Sequence, residues 1–262
     1  FCFRFFNDFK PSQIIGWGAF EIVFKAKNIF DKGTYAVKRI QIKVDCSKYM
    51  ALQEIRNMAD FDHPGIVRYN NTWMEQPPTG WQVARFDDNS HERTLQISYY
   101  STPWLCIFTF YDQILKFQLC DDTLSDWLST NPSNRGVDLH KSWFKQIVSA
   151  IAYLHGKRIM HRSLAPTNIL FAGPNRLKVA DFAIATTMEM EGDSEIAGDR
   201  EASCGIPLYM APEQVGDSTA YSSKVDIFSL GLIFAELSVQ MTRDQRSQVF
   251  ENYRRGISND IL

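Results

Sequence analysis

No two cysteines in this chain stand at C-x-x-C spacing: Cys2, Cys46, Cys106, Cys120 and Cys204 are odd in number and scattered. That argues against a disulfide framework or a cysteine-built zinc site and fits a reducing, cytoplasmic compartment. Charge of one sign is also missing. A formal net charge of −2 gives no global attraction to nucleic acid or to an anionic membrane, so neither is expected as a direct partner. Long hydrophobic runs are absent as well. The longest uncharged stretch, TLQISYYSTPWLCIFTFY at 94–111, is interrupted by Pro103 and diluted by polar residues, so it reads as strand or loop rather than a membrane span. The opening FCFRFFNDF has no initiator Met and no small-residue cleavage site. It is not a signal peptide, and it suggests an excerpt of a longer protein whose membrane status this segment leaves open. Internal repeats and low-complexity tracts are not seen.

What remains is ordinary globular composition, 45% apolar and 22% charged over 262 residues, enough for one large domain or two lobes. Between residues 9 and 44, short β-rich runs (QIIG, EIVFKAKN, GTYAVKRIQI) alternate with turn signals near Gly16–Gly18 and Asp31-Lys32-Gly33, predicting an antiparallel meander. KYMALQEIRNMADF follows with helical spacing of Leu52, Ile55 and Ala59, and Asp62-His63-Pro64-Gly65 ends it. IVRYNNTWM and ILKFQL read as two further strands, separated by a polar and aromatic insertion at about 75–110. After Cys120 the pattern becomes helical. DDTLSDWL is a short helix; LHKSWFKQIVSAIAYLHG carries a stripe of Trp143, Phe144, Ile147, Val148, Ile151 and Leu154 and should stop at Gly156. KVDIFSLGLIFAELS, apolar nearly all round, predicts a buried helix.

Five stretches carry chemistry. In IGWGAFEIVFKAKN, Gly16 and Gly18 could let backbone N–H groups approach phosphates, but Glu21 stands where a G-x-G-x-x-G flap has its third glycine. A plain β-turn explains the two glycines equally well. YAVKRI places Lys38 among apolar neighbours, where it needs a counter-charge; Glu54 on the next helix is the expected partner, the alternative being that both face water. KVADFAIAT delivers Asp181 into a turn, as a carboxylate is offered to Mg²⁺, with Asn168 as a second oxygen donor; Ala183 replaces the usual glycine after Asp-Phe. In CGIPLYMAPEQ and SSKVDIFSLG, Glu213 could pair with a buried Arg, and Asp226 is placed to hold the backbone or the His-Arg groups at 161–162.

Taken in order, these elements resemble a eukaryotic protein kinase from about Asp8 to Leu237. The wording HPGIVRY, KFQLC, LYMAPEQ and YSSKVDIFSLGLIFAEL, with the insertion before KFQLC, is similar to the kinases of the eukaryotic translation initiation factor 2 alpha subunit, nearest the endoplasmic-reticulum stress (PERK-like) branch. The resemblance implies an α+β bilobal fold: a small antiparallel β-rich N-lobe (about 8–119) and a mainly helical C-lobe (about 120–262) that looks short. It implies ATP with Mg²⁺, held by Gly16, Gly18, Val23, Ala36, Lys38 and Glu54, by backbone around Gln118–Cys120, and by Asn168 and Asp181 on the metal, with Phe117 as gatekeeper. It also implies a stress-signalling role, substrate docking near Thr242–Arg255 and pairing of two copies through the N-lobe.

The departures lie in HRSLAPTN, residues 161–168. Where an active serine/threonine kinase has an Asp to orient the substrate hydroxyl, a Lys for the γ-phosphate and a Thr linking them, this chain has Ser163, Ala165 and Ile206. Serine is no base near neutral pH, alanine has no charge and isoleucine no hydroxyl. The expected function is therefore a pseudokinase, a regulatory or scaffolding module that still binds nucleotide. An active kinase of the initiation factor, bypassing Ser163 through Asp181 or the substrate, and a nucleotide-free partner-binding domain are the alternatives. The segment 188–201, with six acids against one Arg, reads as a solvated loop or as a phosphate mimic that pairs with Arg162.

Overall fold

The computed structural model describes residues 4–17, 21–43, 58–75, 110–131, 136–182, 185–187, 206–215 and 222–257. The chain divides into two compact units, residues 1–55 with 68–119, and residues 56–67 with 120–262.

The first unit is a five-stranded antiparallel sheet: β1 (Phe9–Trp17), β2 (Glu21–Asn28), β3 (Thr34–Lys43), β4 (Tyr69–Glu75) and β5 (Phe110–Gln118), in the order β1-β2-β3-β5-β4. The turn at 29–33 closes as its residues dictate. Asn28 Oδ1 accepts the N–H groups of Phe30 and Asp31, Asp31 Oδ1 accepts that of Gly33, and Lys32 takes φ 61°. A short helix, α1 (Arg4–Asp8), drops Phe5 into a core of Phe9, Ile14, Phe24, Ala26, Val37 and Ile114. Burying such a phenyl ring stabilises by about 1.5–3 kcal/mol. The helix predicted before Phe61 lies outside the described residues except at Met58 and Ala59, as does the insertion beyond Glu75 up to Phe110.

The second unit is helical, with α2 (Leu124–Thr130), α3 (Val137–Gly156), α4 (Pro212–Val215), α5 (Lys224–Ser238) and α6 (Arg243–Arg254). Small two-stranded pairings join β6 (Ile159–Met160) to β9 (Thr186–Thr187) and β7 (Ile169–Phe171) to β8 (Leu177–Val179). α2 begins with a reciprocal cap: Thr123 and Asp126 exchange side-chain and backbone hydrogen bonds. On α3 the buried apolar residues are Trp143, Ile147, Ala150, Ile151 and Leu154, while Val148 of the expected stripe is exposed. α3 does end at Gly156, but the left-handed residue that turns the chain is Arg158 (φ 59°), not the glycine. α5 is buried on most sides, yet Ile227 and Phe234 leave one strip exposed; its apolar circumference overstates its burial.

One buried ion pair governs the first unit. Arg39 Nε lies 2.6 Å from Asp112 Oδ2, with both side chains buried, and Glu75 faces Asp112 across β4 and β5. Burial raises the Asp112 pKa, Arg39 pulls it down, and Glu75 adds to the rise. Removing the cation alone strands the Asp112 carboxylate beside that of Glu75. Arg39→Met should therefore lose about 3–5 kcal/mol in urea unfolding followed by tryptophan fluorescence, and adding Asp112→Leu should recover most of it.

Candidate functional site

Strand register gathers one half of the expected site. Gly16 stands opposite Val23, Val23 opposite Lys38, and Lys38 opposite Leu115; Ala36, two residues before Lys38, stands opposite Lys25 and Phe117. Opposed residues share a face, so Val23, Ala36, Lys38 and Phe117 line one side of the sheet. Gly18 and Glu54 lie outside the described residues. A Cβ on Gly16 would meet Val23 Cγ2 at 3.5 Å, ordinary contact, so space alone does not require glycine there. The Lys38 side chain is 7% exposed, and its Nζ is 2.8 Å from Glu21 Oε2. Glu54 was the expected counter-charge; a described partner is Glu21, the residue expected to repel phosphates. Strand pairing explains this: Glu21 is two residues from Val23 and therefore diagonal to Lys38 on the same face. At the end of β5, Phe117 packs edge-on to Tyr69, and the Gln118 N–H donates to the Arg68 carbonyl at 2.9 Å.

In the second unit, Asp226 is the organising group. Lying 1% exposed in the first turn of α5, it accepts hydrogen bonds from His155 Nε2 (2.7 Å), from the His161 N–H (2.9 Å) and from the Arg162 N–H (2.8 Å). Burial alone would raise its pKa, but the His155 hydrogen bond, the nearby His161 ring and the two amides together hold it below the ordinary value. This was the role expected for Asp226. Gln214 completes the clamp: its Nε2 donates to the Arg162 carbonyl at 3.0 Å while its Oε1 accepts the Ala211 N–H. Arg162, fixed at both N–H and C=O, holds φ 69°, a left-handed conformation that costs a non-glycine residue on the order of 1 kcal/mol or more.

The loop so held presents Ser163. His161 Nε2 faces the Ala180 carbonyl at 3.0 Å, which puts the proton of a neutral ring on Nε2 and leaves Nδ1 an acceptor. Ser163 N and Oγ both lie 3.3 Å from that Nδ1, and Oγ also reaches the Asp181 carbonyl at 3.4 Å. The hydroxyl is thus turned into the loop. Ala165, the other predicted vacancy in this loop, is fully buried. Asn168 ends a 3-10 turn (Pro166–Asn168), and its Nδ2 donates to the Ser163 carbonyl at 2.8 Å, leaving Oδ1 as its ligating atom. The Ala180 N–H donates to the Asn168 carbonyl at 2.9 Å, tying that turn to the segment carrying Asp181, which takes φ 62°. A carboxylate and a carboxamide oxygen on two bonded segments fit a hard divalent cation such as Mg²⁺. Among the described residues no group of three or more His, Cys, Asp or Glu side chains gathers as a metal site. Phe182 is fully buried, with its ring 5.1 Å from His161 and 5.2 Å from Phe61. Cys120 is half-buried, and burial pushes its thiol up to about 11, with Lys178 opposing and Asp121 reinforcing; it is no nucleophile at neutral pH.

A second constellation joins α6 to the chain after Ile206. Arg254 donates to the carbonyls of Pro207 (2.8 Å), Leu208 (3.1 Å) and Met210 (3.2 Å) and pairs with Glu251. Arg246 pairs with Glu236, which also accepts the Tyr209 hydroxyl. Glu213, expected to pair with a buried Arg, is exposed; among the described residues of this unit, Glu236 is a buried acid that takes an arginine. Ile206 caps the 3-10 turn Pro207–Tyr209 through its backbone and brings no hydroxyl to the loop. Residues 188–205, including the acidic stretch, lie outside the described residues. Gln214, His155, Glu236 and Arg254 were not anticipated. Two clues were available: Gln214 directly follows the singled-out Ala-Pro-Glu, and His155 precedes the helix-stopping glycine. Neither showed that their partners were a carbonyl at 162 and a carboxylate at 226.

Comparison with known proteins adds the following. The sequence model of the protein kinase domain matches residues 9–259. The chain is 34% identical over 263 residues to the interferon-induced, double-stranded RNA-activated protein kinase of Rattus norvegicus, covering 99% of this chain and 46% of the rat protein. To eukaryotic translation initiation factor 2-alpha kinase 3 of Bos taurus it is 39% identical over 432 residues, covering 89% of this chain and 38% of the bovine one. To eIF-2-alpha kinase GCN2 of Arabidopsis thaliana it is 28% identical over 258 residues, covering 89% and 20%. The chain therefore spans less than half the length of each of these relatives.

Asp226→Asn should show how much the loop owes to this carboxylate. It places an NH₂ among N–H donors and should cost about 3–5 kcal/mol. The pH dependence has a definite sign. Because the folded pKa lies below the ordinary 3.8, the Asp226 contribution is complete above that value and is lost as pH falls through the lower, folded one. Urea unfolding of wild type and Asp226→Asn from pH 7 to pH 2 should give curves that converge only at the acid end.

Proposed function

Because the chain belongs to the protein kinase family and is related to the kinases of translation initiation factor 2-alpha, we propose that it is a pseudokinase: a nucleotide-binding module with the catalytic loop's scaffold but not its proton acceptor. The carrying observation is Ser163. Its hydroxyl points to His161 Nδ1 and the Asp181 carbonyl, inside a loop that Asp226 and Gln214 hold at both ends of Arg162.

Lys38 would hold phosphates, and Asn168 with Asp181 a Mg²⁺ ion; a nucleotide's metal complex would supply an electrophilic γ-phosphoryl group. Against it the chain offers an alcohol at 163, where a carboxylate is needed to take the incoming hydroxyl's proton. Loss of a general base lowers rates by about 10²–10⁴-fold, or about 3–5 kcal/mol of barrier at ~1.36 kcal/mol per decade. Loss of the γ-phosphate lysine at Ala165 acts on the same step, so the two effects need not add.

Its partner, on this reading, is the initiation factor's alpha subunit or a kinase acting on it, and the surface presented is α6. That helix starts with a Thr242–Gln245 capping box, and Asp244, Ser247, Gln248, Glu251 and Arg254 form a groove with Pro207 and Leu208. Arg254 couples whatever docks there to the segment 207–210.

The whole chain should show a thermal shift with Mg²⁺ and ADP or ATP, and with labelled ATP it should transfer phosphate to the alpha subunit at least about 10²-fold more slowly than the Ser163→Asp, Ala165→Lys, Ile206→Thr triple variant. Equal rates would contradict the reading. No shift with any nucleotide would leave a partner-binding domain alone.

A further inference from the structure

Glu21 occupies a position where its carboxylate does more than repel. Residue 21 opens β2 and faces Ile40 across the β2–β3 pairing, while Val23 faces Lys38. Side chains two residues apart on a strand share a face, so register alone sets Glu21 diagonally beside Lys38, and its Oε2 reaches Nζ at 2.8 Å. The two groups differ in their access to water. The lysine side chain is 7% exposed and the glutamate 33%, so the cation is sequestered while the anion sits at the mouth of the contact. A buried ammonium is costly without a counter-charge, and Glu21 supplies one without any ligand.

We propose that Glu21 is a built-in anionic occupant of the nucleotide lysine, so that phosphate-bearing ligands compete with a side chain of the chain itself and the site is tilted toward ligands carrying little or no phosphate. This rests on the reading that nucleotide binds at Lys38. A phosphate reaching Nζ must either displace the Glu21 carboxylate or lie beside it; the first breaks a charge-assisted hydrogen bond, the second sets like charges together. A nucleoside meets neither obstacle. Affinity should therefore fall in the order adenosine, ADP, ATP when compared with the same series on a chain whose residue 21 is neutral. Position 21 also explains why the change is compatible with the fold. At the first residue of β2 a glutamate keeps its main-chain pairing with Ile40, so the sheet is unaltered while the charge balance at Lys38 changes.

The test is calorimetric titration of the whole chain with Mg²⁺ plus ATP and, separately, adenosine, for wild type, Glu21→Gln, Lys38→Met and the double variant. Glu21→Gln should tighten ATP about tenfold or more, leave adenosine within about twofold, and still tighten ATP in the Lys38→Met background, where the like-charge contact alone is relieved. These fold-changes correspond to the loss of one like-charge contact near a protein surface. An unchanged ATP affinity, or an equal gain for adenosine, would overturn the proposal. If neither ligand binds either wild type or Glu21→Gln, the nucleotide reading itself fails. A ligand-free measurement keeps the two failures apart: trinitrobenzenesulfonate should label Lys38 faster in Glu21→Gln, and an unchanged labelling rate would show that the pair does not hold the amine.

Discussion

A carboxylate buried in the first turn of an apolar helix holds this protein's loop together. Asp226 cannot be solvated where it lies, so it takes three donors, and two of them are consecutive backbone N–H groups of the loop at 161–162. Those two bonds, with Gln214 on the Arg162 carbonyl, impose the left-handed backbone at Arg162. From that bend follow the inward turn of Ser163 and the Asn168 bond to the Ser163 carbonyl. Asn168 in turn receives the Ala180 N–H, just before Asp181. The scaffold thus does not depend on the residue at 163 being an acid. The geometry of such a loop and its chemistry rest on different atoms.

The first unit shows the converse. There Lys38, the residue proposed to meet phosphate, keeps its place on β3 and pairs with Glu21. Its neighbour Arg39 points to the opposite face of β3, where Asp112 receives it. Two adjacent cations on one strand are thus each given an acid from another strand. Arg39–Asp112 lies in the interior, and its worth is largely the penalty for breaking it. Lys38–Glu21 opens to solvent on the acid's side, so a competing anion can contest it.

Much of this was legible from residue type and spacing. The meander and the helical remainder follow from turn residues and periodicity, and Asp226 was identifiable because a charge in so apolar a helix requires donors. The kinase likeness came from motif order, which survives the loss of individual residues. Other features were not legible for definite reasons. Glu21 as a partner of Lys38 was one such feature: diagonal contacts across a sheet depend on register, and register is fixed by pairing rather than by local sequence. Val148, Ile227 and Phe234 are apolar and exposed, because hydrophobicity does not oblige a residue to be buried. Gln214 and Arg254 escaped notice because their partners are backbone carbonyls some 40 to 50 positions distant, and a carbonyl has no sequence signature.

The central claim is that the loop at 161–168 is held rigidly with a serine rather than a carboxylate at position 163. Amide hydrogen exchange at His161 and Arg162 measures this most directly, since both N–H groups donate to the buried Asp226 carboxylate. The account predicts that these two amides exchange as slowly as those in the middle of α5. Exchange at the rate of an unprotected loop would contradict it.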